Sequence, residues 1–106
     1  MTARLEFLPE ASQQVEAADE WWRENRPAAR DLFARELGEA LSLLEAQPTA
    51  GRPLPRPDFP KLRLLLLPRT RYHVYYEHDA GRGLLLVRSV WSAVRGRAPQ
   101  LRPRRC

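Results

Sequence analysis

The run Lys61-Leu-Arg-Leu-Leu-Leu-Leu-Pro-Arg-Thr-Arg-Tyr-His-Val-Tyr-Tyr-Glu77, continued by Leu84-Leu-Leu-Val-Arg-Ser-Val-Trp-Ser-Ala-Val-Arg-Gly-Arg-Ala-Pro-Gln-Leu101, decides the fold. It reads as three strands in succession. Leu62, Leu64 and Leu66 share one face of the first, and Arg63, Leu65 and Leu67 the other, because side chains alternate along a strand. Pro68-Arg69-Thr70 turns the chain, Arg71 to Glu77 forms an aromatic-rich strand, and Asp79-Ala80-Gly81-Arg82-Gly83 is a hairpin loop. In the last strand, Leu84 to about Trp91, simple alternation sends Leu84, Leu86 and Val90 one way and Leu85, Val87 and Trp91 the other. Both faces of the meander are therefore apolar, whereas an antiparallel sheet that meets water usually shows one polar face.

Upstream, Thr2 to Leu8 reads as a short strand with Leu5 and Phe7 on one face. Pro9 suits the first turn of a helix, where its missing N–H costs nothing. Leu8, Ala11, Val15, Ala18 and Trp22 then recur at helical spacing, which predicts an amphipathic helix from Pro9 to about Glu24. Asn25-Arg26-Pro27 breaks it. Phe33, Leu37, Ala40 and Leu44, widened by Leu32 and Leu41, predict a second helix ending near Ala46, just before Pro48. So short a link makes the two an antiparallel hairpin. Gln47 to Pro60 holds five prolines in 14 residues, a semi-rigid connector rather than a helix or an inner strand.

The expected architecture is a single α+β domain over 1–106, in the order β-α-α-β-β-β, with the helical hairpin on one face of an antiparallel sheet. Its parts are a strand plus hairpin (1–46), the connector (47–60), the meander (61–92) and a basic tail (93–106). No helix remains to cover the second sheet face. Either the segment 93–101 folds across it, or an apolar face rimmed by arginine is left for a partner.

Charge is divided along the chain. Residues 1–45 hold 10 acids and 5 bases, net −5, and residues 46–106 hold 3 acids and 13 bases, net +10, giving the overall +5. Such a half attracts nucleic acid or an acidic protein segment by the same logic. No run of about 18 apolar residues is present, so no membrane span is expected. The N-terminus carries glutamates instead of a basic-then-apolar signal, and Cys106 is the sole cysteine, which together point to the cytoplasm.

No constellation for chemistry stands out. His73 and His78 are five apart on a strand and face opposite sides, so no metal site is signalled, and no cofactor motif is present. No Ser-His-Asp or Cys-His arrangement is suggested, and Gly81-Arg82-Gly83 is better explained as a turn than as a phosphate loop. Arg63, Arg71 and Arg88 are the serious candidates: an unpaired guanidinium inside a strand is costly, so each must reach an edge, an acid such as Glu77, or a bound anion. They would suit stabilisation of a phosphorane-like charge beside a general base such as His73. Trp21 and Trp22, adjacent and about 100° apart on a helix, cannot both centre one stripe; Trp22 is expected inside and Trp21 at the edge, a plausible partner anchor.

Trp21-Trp22, Phe33-Ala34-Arg35-Glu36-Leu37 with Ala40-Leu41, Gln47-Pro48-Thr49-Ala50-Gly51, Leu62-Arg63, Arg69 to Tyr76, and Val90-Trp91-Ser92-Ala93-Val94-Arg95-Gly96-Arg97 with Pro99 form an ordered set. In order and spacing it resembles the ParE branch of the RelE/ParE toxin superfamily, over about residues 3 to 101. The resemblance implies a cytoplasmic, basic toxin of a bacterial type II toxin–antitoxin module, neutralised by a ParD-like antitoxin whose C-terminal segment folds on it. RelE-like members cut messenger RNA in the ribosome, often with a C-terminal tyrosine, whereas ParE-like members are linked to inhibition of DNA gyrase. No tyrosine or histidine follows His78, which favours the ParE pattern.

A non-enzymatic toxin acting on gyrase is therefore expected, without specific DNA binding of its own. Trp21, Arg63, Leu65, Arg71, Tyr75, Arg88 and Trp91 are the expected antitoxin contacts, and Arg95 and Arg97 the expected target contacts. The rival readings are a ribosome-dependent endoribonuclease using Arg63, Arg71, Arg88 and His73, a basic RNA-binding domain, and a degenerate toxin without toxicity.

Overall fold

The computed structural model describes residues 3–95 and 98–101. Strand β1 (Arg4–Phe7) leads into helix α1 (Pro9–Asn25), a single 3-10 turn (Pro27–Ala29) and helix α2 (Leu32–Ala46). Four further strands follow: β2 (Arg52–Pro53), β3 (Leu62–Leu67), β4 (Tyr72–Asp79) and β5 (Leu84–Ser92). They form one five-stranded sheet in the order β1-β5-β4-β3-β2. The hairpin and the meander thus stand as expected, and three features depart from the sequence reading.

First, the sheet is mixed rather than antiparallel, because β1 lies parallel to β5 with Leu5 opposite Leu85 and Phe7 opposite Val87. Period-two alternation reports which face a residue takes but not the direction of its strand. Second, the connector contributes β2, paired antiparallel with β3 at the outer edge, where Pro53 removes no N–H that an inner ladder would need.

The third departure changes the faces. Tyr75 pairs with Ser89 and Tyr76 with Val87, so Arg88 is an extra residue in β5. This β-bulge shifts the alternation by one. Val90 therefore joins Leu85 and Val87 in the core beneath the helices, and Trp91 turns to the opposite face with Leu62, Leu64 and Tyr75, reversing the expected placement of both residues.

The main core lies between hairpin and sheet. Phe33, Leu44, Val74, Tyr76, Leu85 and Val87 are fully buried in it, and Ala11 and Ala18 let α1 approach the strands closely. Each large apolar side chain so buried contributes about 1.5–3 kcal/mol. The second face is not left open as a whole. Phe59 and Leu54 of the proline-rich connector, together with Leu101, pack on Leu62, Leu64, Tyr75 and Trp91. A stiff, extended connector can cover a sheet without secondary structure of its own, which helix counting overlooks. Among the described residues the end near Leu66 is left most open, with Leu66 45% exposed.

Candidate functional site

A groove of about 740 Å³ opens where the C-terminal half of α1, the β3–β4 turn and the end of β5 converge. One wall is helical, from Gln14 through Ala17 and Ala18 to Trp21 and Trp22, with Arg26 beyond the last turn. The opposite wall is Arg69, Thr70, Arg71 and Tyr72, and Val90 to Ser92 with Val94 and Arg95 close the end.

Each wall has a local cause. β1 ends opposite Val87, so beyond it that side of β5 has no strand partner and a side chain serves the Val90 N–H. Gln14 Oε1 accepts from it at 2.8 Å and from Ser89 Oγ at 2.9 Å, tying α1 to the strand. Asn25 Nδ2 donates to Trp21 O at 2.8 Å and steadies the last turn of α1. Ala17 and Ala18 present only methyl groups along the helical wall, and Trp21 stands at the lip, 45% exposed. Trp22 packs against the main core while its buried Nε1–H has no hydrogen-bond partner among the described residues.

Cations accompany the rings. The Arg26 guanidinium lies 5.3 Å from the Trp21 ring centroid and 5.8 Å from that of Trp22, and the Arg95 guanidinium lies 4.2 Å from that of Trp91. Such stacking holds a flat cation over a π face. The β3–β4 turn supplies two more arginines. Thr70, buried between exposed Arg69 and Arg71, is held by Glu36 of α2. Arg71 adopts a left-handed backbone, φ 64°, which costs a residue with a side chain about 1–2 kcal/mol. Its N–H donates to Leu67 O at 2.8 Å, and its carbonyl accepts from Ala93 N at 2.7 Å, fixing the turn against the chain after β5.

The groove gathers Trp21, Arg71 and Trp91 of the expected antitoxin contacts and Arg95 of the expected target contacts. The other four lie elsewhere. Arg63 is turned to the proline loop, donating to Gly51 O at 2.6 Å and Thr49 O at 3.2 Å, where it satisfies carbonyls that no strand serves. Leu65 packs against the helix-side core. Tyr75 is buried beneath the connector cover, and Arg88 pairs with Glu77 under the Phe59 ring, 4.6 Å from its centroid. Alternation along β3 keeps Arg63 and Leu65 on the helix side, and the connector covers Tyr75 and Arg88, so these four sit outside the groove. Arg97 lies outside the described residues.

Sequence reasoning missed Arg26, Arg69, Trp22 and Glu36 as parts of the site. Glu36 carried a signal: at spacings of 3, 1 and 4 from Phe33, Leu37 and Ala40 it sits within the apolar stripe of α2, where an acid needs partners.

His73 lies away from the groove, on the second face, in a cross-strand row with Leu66 and Trp91. Burial, and then the Arg52 charge, lower its pKa below the ordinary 6.5. Burial raises that of Tyr75 above 10.0 against the opposing pull of Arg56 and Arg52. Among the described residues no cluster of three histidine, cysteine or carboxylate side chains is placed to hold a metal, and no helix is long and apolar enough to cross a membrane.

Three solved structures share the fold. The ParDE toxin–antitoxin system of P. aeruginosa aligns with a TM-score of 0.68 at 17% identity, covering 86% of this chain and 96% of that one. The RelBE2 toxin–antitoxin complex of Mycobacterium tuberculosis gives 0.62 at 17% identity, covering 87% and 99%. A doubly substituted E. coli RelE toxin in the free state gives 0.59 at 20% identity, covering 89% and 86%. At such identities the likeness speaks for the fold alone. No curated protein matches the sequence. The family model of the ParE toxin of the type II toxin–antitoxin system parDE matches residues 5–95, and the chain belongs to that family.

Proposed function

We propose that this type II toxin inhibits DNA gyrase by binding rather than by cutting a bond, and that a ParD-like antitoxin silences it by lying in the groove. One observation carries the antitoxin half: Arg26, Arg69, Arg71 and Arg95 line the groove beside three tryptophans, with no acid among its described lining residues. An acidic segment with apolar anchors complements that surface in both charge and shape. Two of the structural relatives are toxin–antitoxin systems, which supports such a partner. Arg95 belongs to the same groove, so an antitoxin seated there covers a residue proposed for the target.

Binding rather than catalysis is supported by where the strand arginines are spent. Arg63 holds the proline loop and Arg88 holds Glu77, so neither is available to stabilise a developing phosphorane charge as a catalytic arginine must. A second reading has its own observation. His73 has a lowered pKa beside the Arg52 charge, as a general base of a ribosome-dependent RNase would.

The two separate in one comparison. The toxin is added to gyrase with supercoiled or relaxed plasmid, and in parallel to translating ribosomes on a defined messenger. Lost supercoiling or trapped cleaved DNA with an intact messenger supports gyrase binding. Messenger cut in the ribosomal A site with unaffected gyrase overturns it.

A further inference from the structure

The groove's basic wall is held from behind by a buried carboxylate. Glu36 of α2 is 7% exposed. Its Oε2 accepts from Arg69 N at 2.7 Å, and its Oε1 accepts from both Thr70 N at 2.8 Å and Thr70 Oγ1 at 2.7 Å. Three donors from two consecutive residues thus converge on one side chain. Arg71 follows immediately with φ 64°, so the clamp grips the turn at the residue before its strained position.

A carboxylate inside an apolar stripe is an expensive way to attach a turn. Transfer from water disfavours the charge, and donors restore what is lost only when their geometry is good. An apolar contact between α2 and the turn would add stability without that requirement, but it would leave the backbone free to slide. Directed hydrogen bonds to two backbone N–H groups leave it no such freedom. What they fix is the orientation of a segment whose residues alternate exposed Arg69, buried Thr70 and exposed Arg71, both arginines lining the groove.

We infer that Glu36 is a positioning residue for partner recognition: by clamping Arg69 and Thr70 it sets the two groove arginines against the carboxylates of an acidic partner. As a statement about antitoxin binding the inference rests on the function proposed above, whereas the positioning itself is measurable without any partner.

Iodide and acrylamide quenching of the intrinsic tryptophan fluorescence reads the positioning. Trp21 and Trp91 border the groove, so arginines held beside them concentrate iodide, while neutral acrylamide reports exposure alone. In Glu36→Gln the iodide-to-acrylamide ratio is expected to fall about twofold, because the arginines leave the groove. Simple removal of a negative charge predicts the opposite sign, so an unchanged or higher ratio overturns the inference. Thr70→Ser, which keeps the hydroxyl donor, is expected to retain the wild-type ratio. Thr70→Val, which loses only that donor, is expected to shift it part of the way and serves if Glu36→Gln does not fold.

Affinity for the full-length cognate antitoxin supplies the second arm. Glu36→Gln is expected to weaken binding about tenfold, as loss of charge-assisted hydrogen bonds would. In an Arg69→Ala/Arg71→Ala background it is expected to add nothing, because the carboxylate acts through those side chains. The same tenfold loss in that background overturns positioning. Failure of the wild-type toxin to bind antitoxin, with the quenching shift intact, refutes the proposed function and leaves the clamp standing.

Discussion

The Tyr76 hydroxyl accepts a hydrogen bond from Gly51 N at 2.9 Å and donates one to Pro48 O at 2.7 Å. A fully buried strand residue thereby holds the turn that opens the proline-rich connector. A Cβ at Gly51 would meet the Tyr76 hydroxyl at 2.6 Å, its ring at 2.7 Å and the Leu64 carbonyl at 2.9 Å. Tyr76→Phe leaves the buried Gly51 N–H and the part-buried Pro48 carbonyl unserved and is expected to cost about 1–3 kcal/mol. Gly51→Ala is expected to cost a similar amount, about 1–3 kcal/mol, by overpacking. Urea denaturation of both variants checks this, and a change below about 0.5 kcal/mol in either would contradict the packing described.

Arg71 separates stability from recognition. Glycine adopts its left-handed backbone without steric cost, so Arg71→Gly is expected to be neutral or stabilising by up to about 1 kcal/mol in thermal unfolding. The same substitution deletes a groove cation and is expected to weaken antitoxin binding. Loss of stability and affinity together would show that the guanidinium is structural instead.

The pH dependence follows from His73, whose pKa burial and Arg52 lower below 6.5. The folded state then holds fewer protons on this residue than the unfolded chain. Its contribution to stability is fully present above pH 6.5 and is lost as pH falls through the lowered folded value. Urea midpoints are therefore expected to decline below about pH 6.5, and His73→Gln is expected to flatten that part of the profile. An NMR titration of the His73 ring at or above 6.5 would contradict it.

Arg88 and Glu77 form a pair whose side chains are 10% and 20% exposed, beneath Phe59. Removing one partner leaves the other charge uncompensated, so Arg88→Ala is expected to destabilise by about 3 kcal/mol or more. An Arg88→Met/Glu77→Leu double variant is expected to recover most of the loss. Equal losses in single and double variants, measured by denaturant unfolding, would show that the cost is packing rather than charge.

The helical hairpin was readable because the apolar spacings from Ala11 to Trp22 and from Phe33 to Leu44 match a helix along their whole length, as the observed Pro9–Asn25 and Leu32–Ala46 bear out. The meander was readable for the same reason at period two. The phase of β5 beyond Val87 was not, since the bulge is one added residue, Arg88, with no glycine or proline to announce it. The connector cover escaped because Phe59 and Leu54 sit in a segment with no periodicity. The groove joins side chains about 70 positions apart, from Trp21 of α1 to Trp91 of β5. Local pattern identifies such residues as unusual but does not bring them together, which is why Trp21, Arg71 and Trp91 were singled out one by one while Arg69 and Arg26, which line the same groove, were passed over.

The groove's role is tested most directly by titrating full-length toxin with its full-length antitoxin in a calorimeter. Trp21→Ala and Arg71→Ala are each expected to weaken binding at least about tenfold, as central aromatic and arginine anchors do. Arg82→Ala, in the exposed hairpin loop between β4 and β5, is expected to stay within about twofold. A Trp21→Ala/Arg71→Ala double variant that folds and binds antitoxin with wild-type affinity would contradict the groove as the docking site.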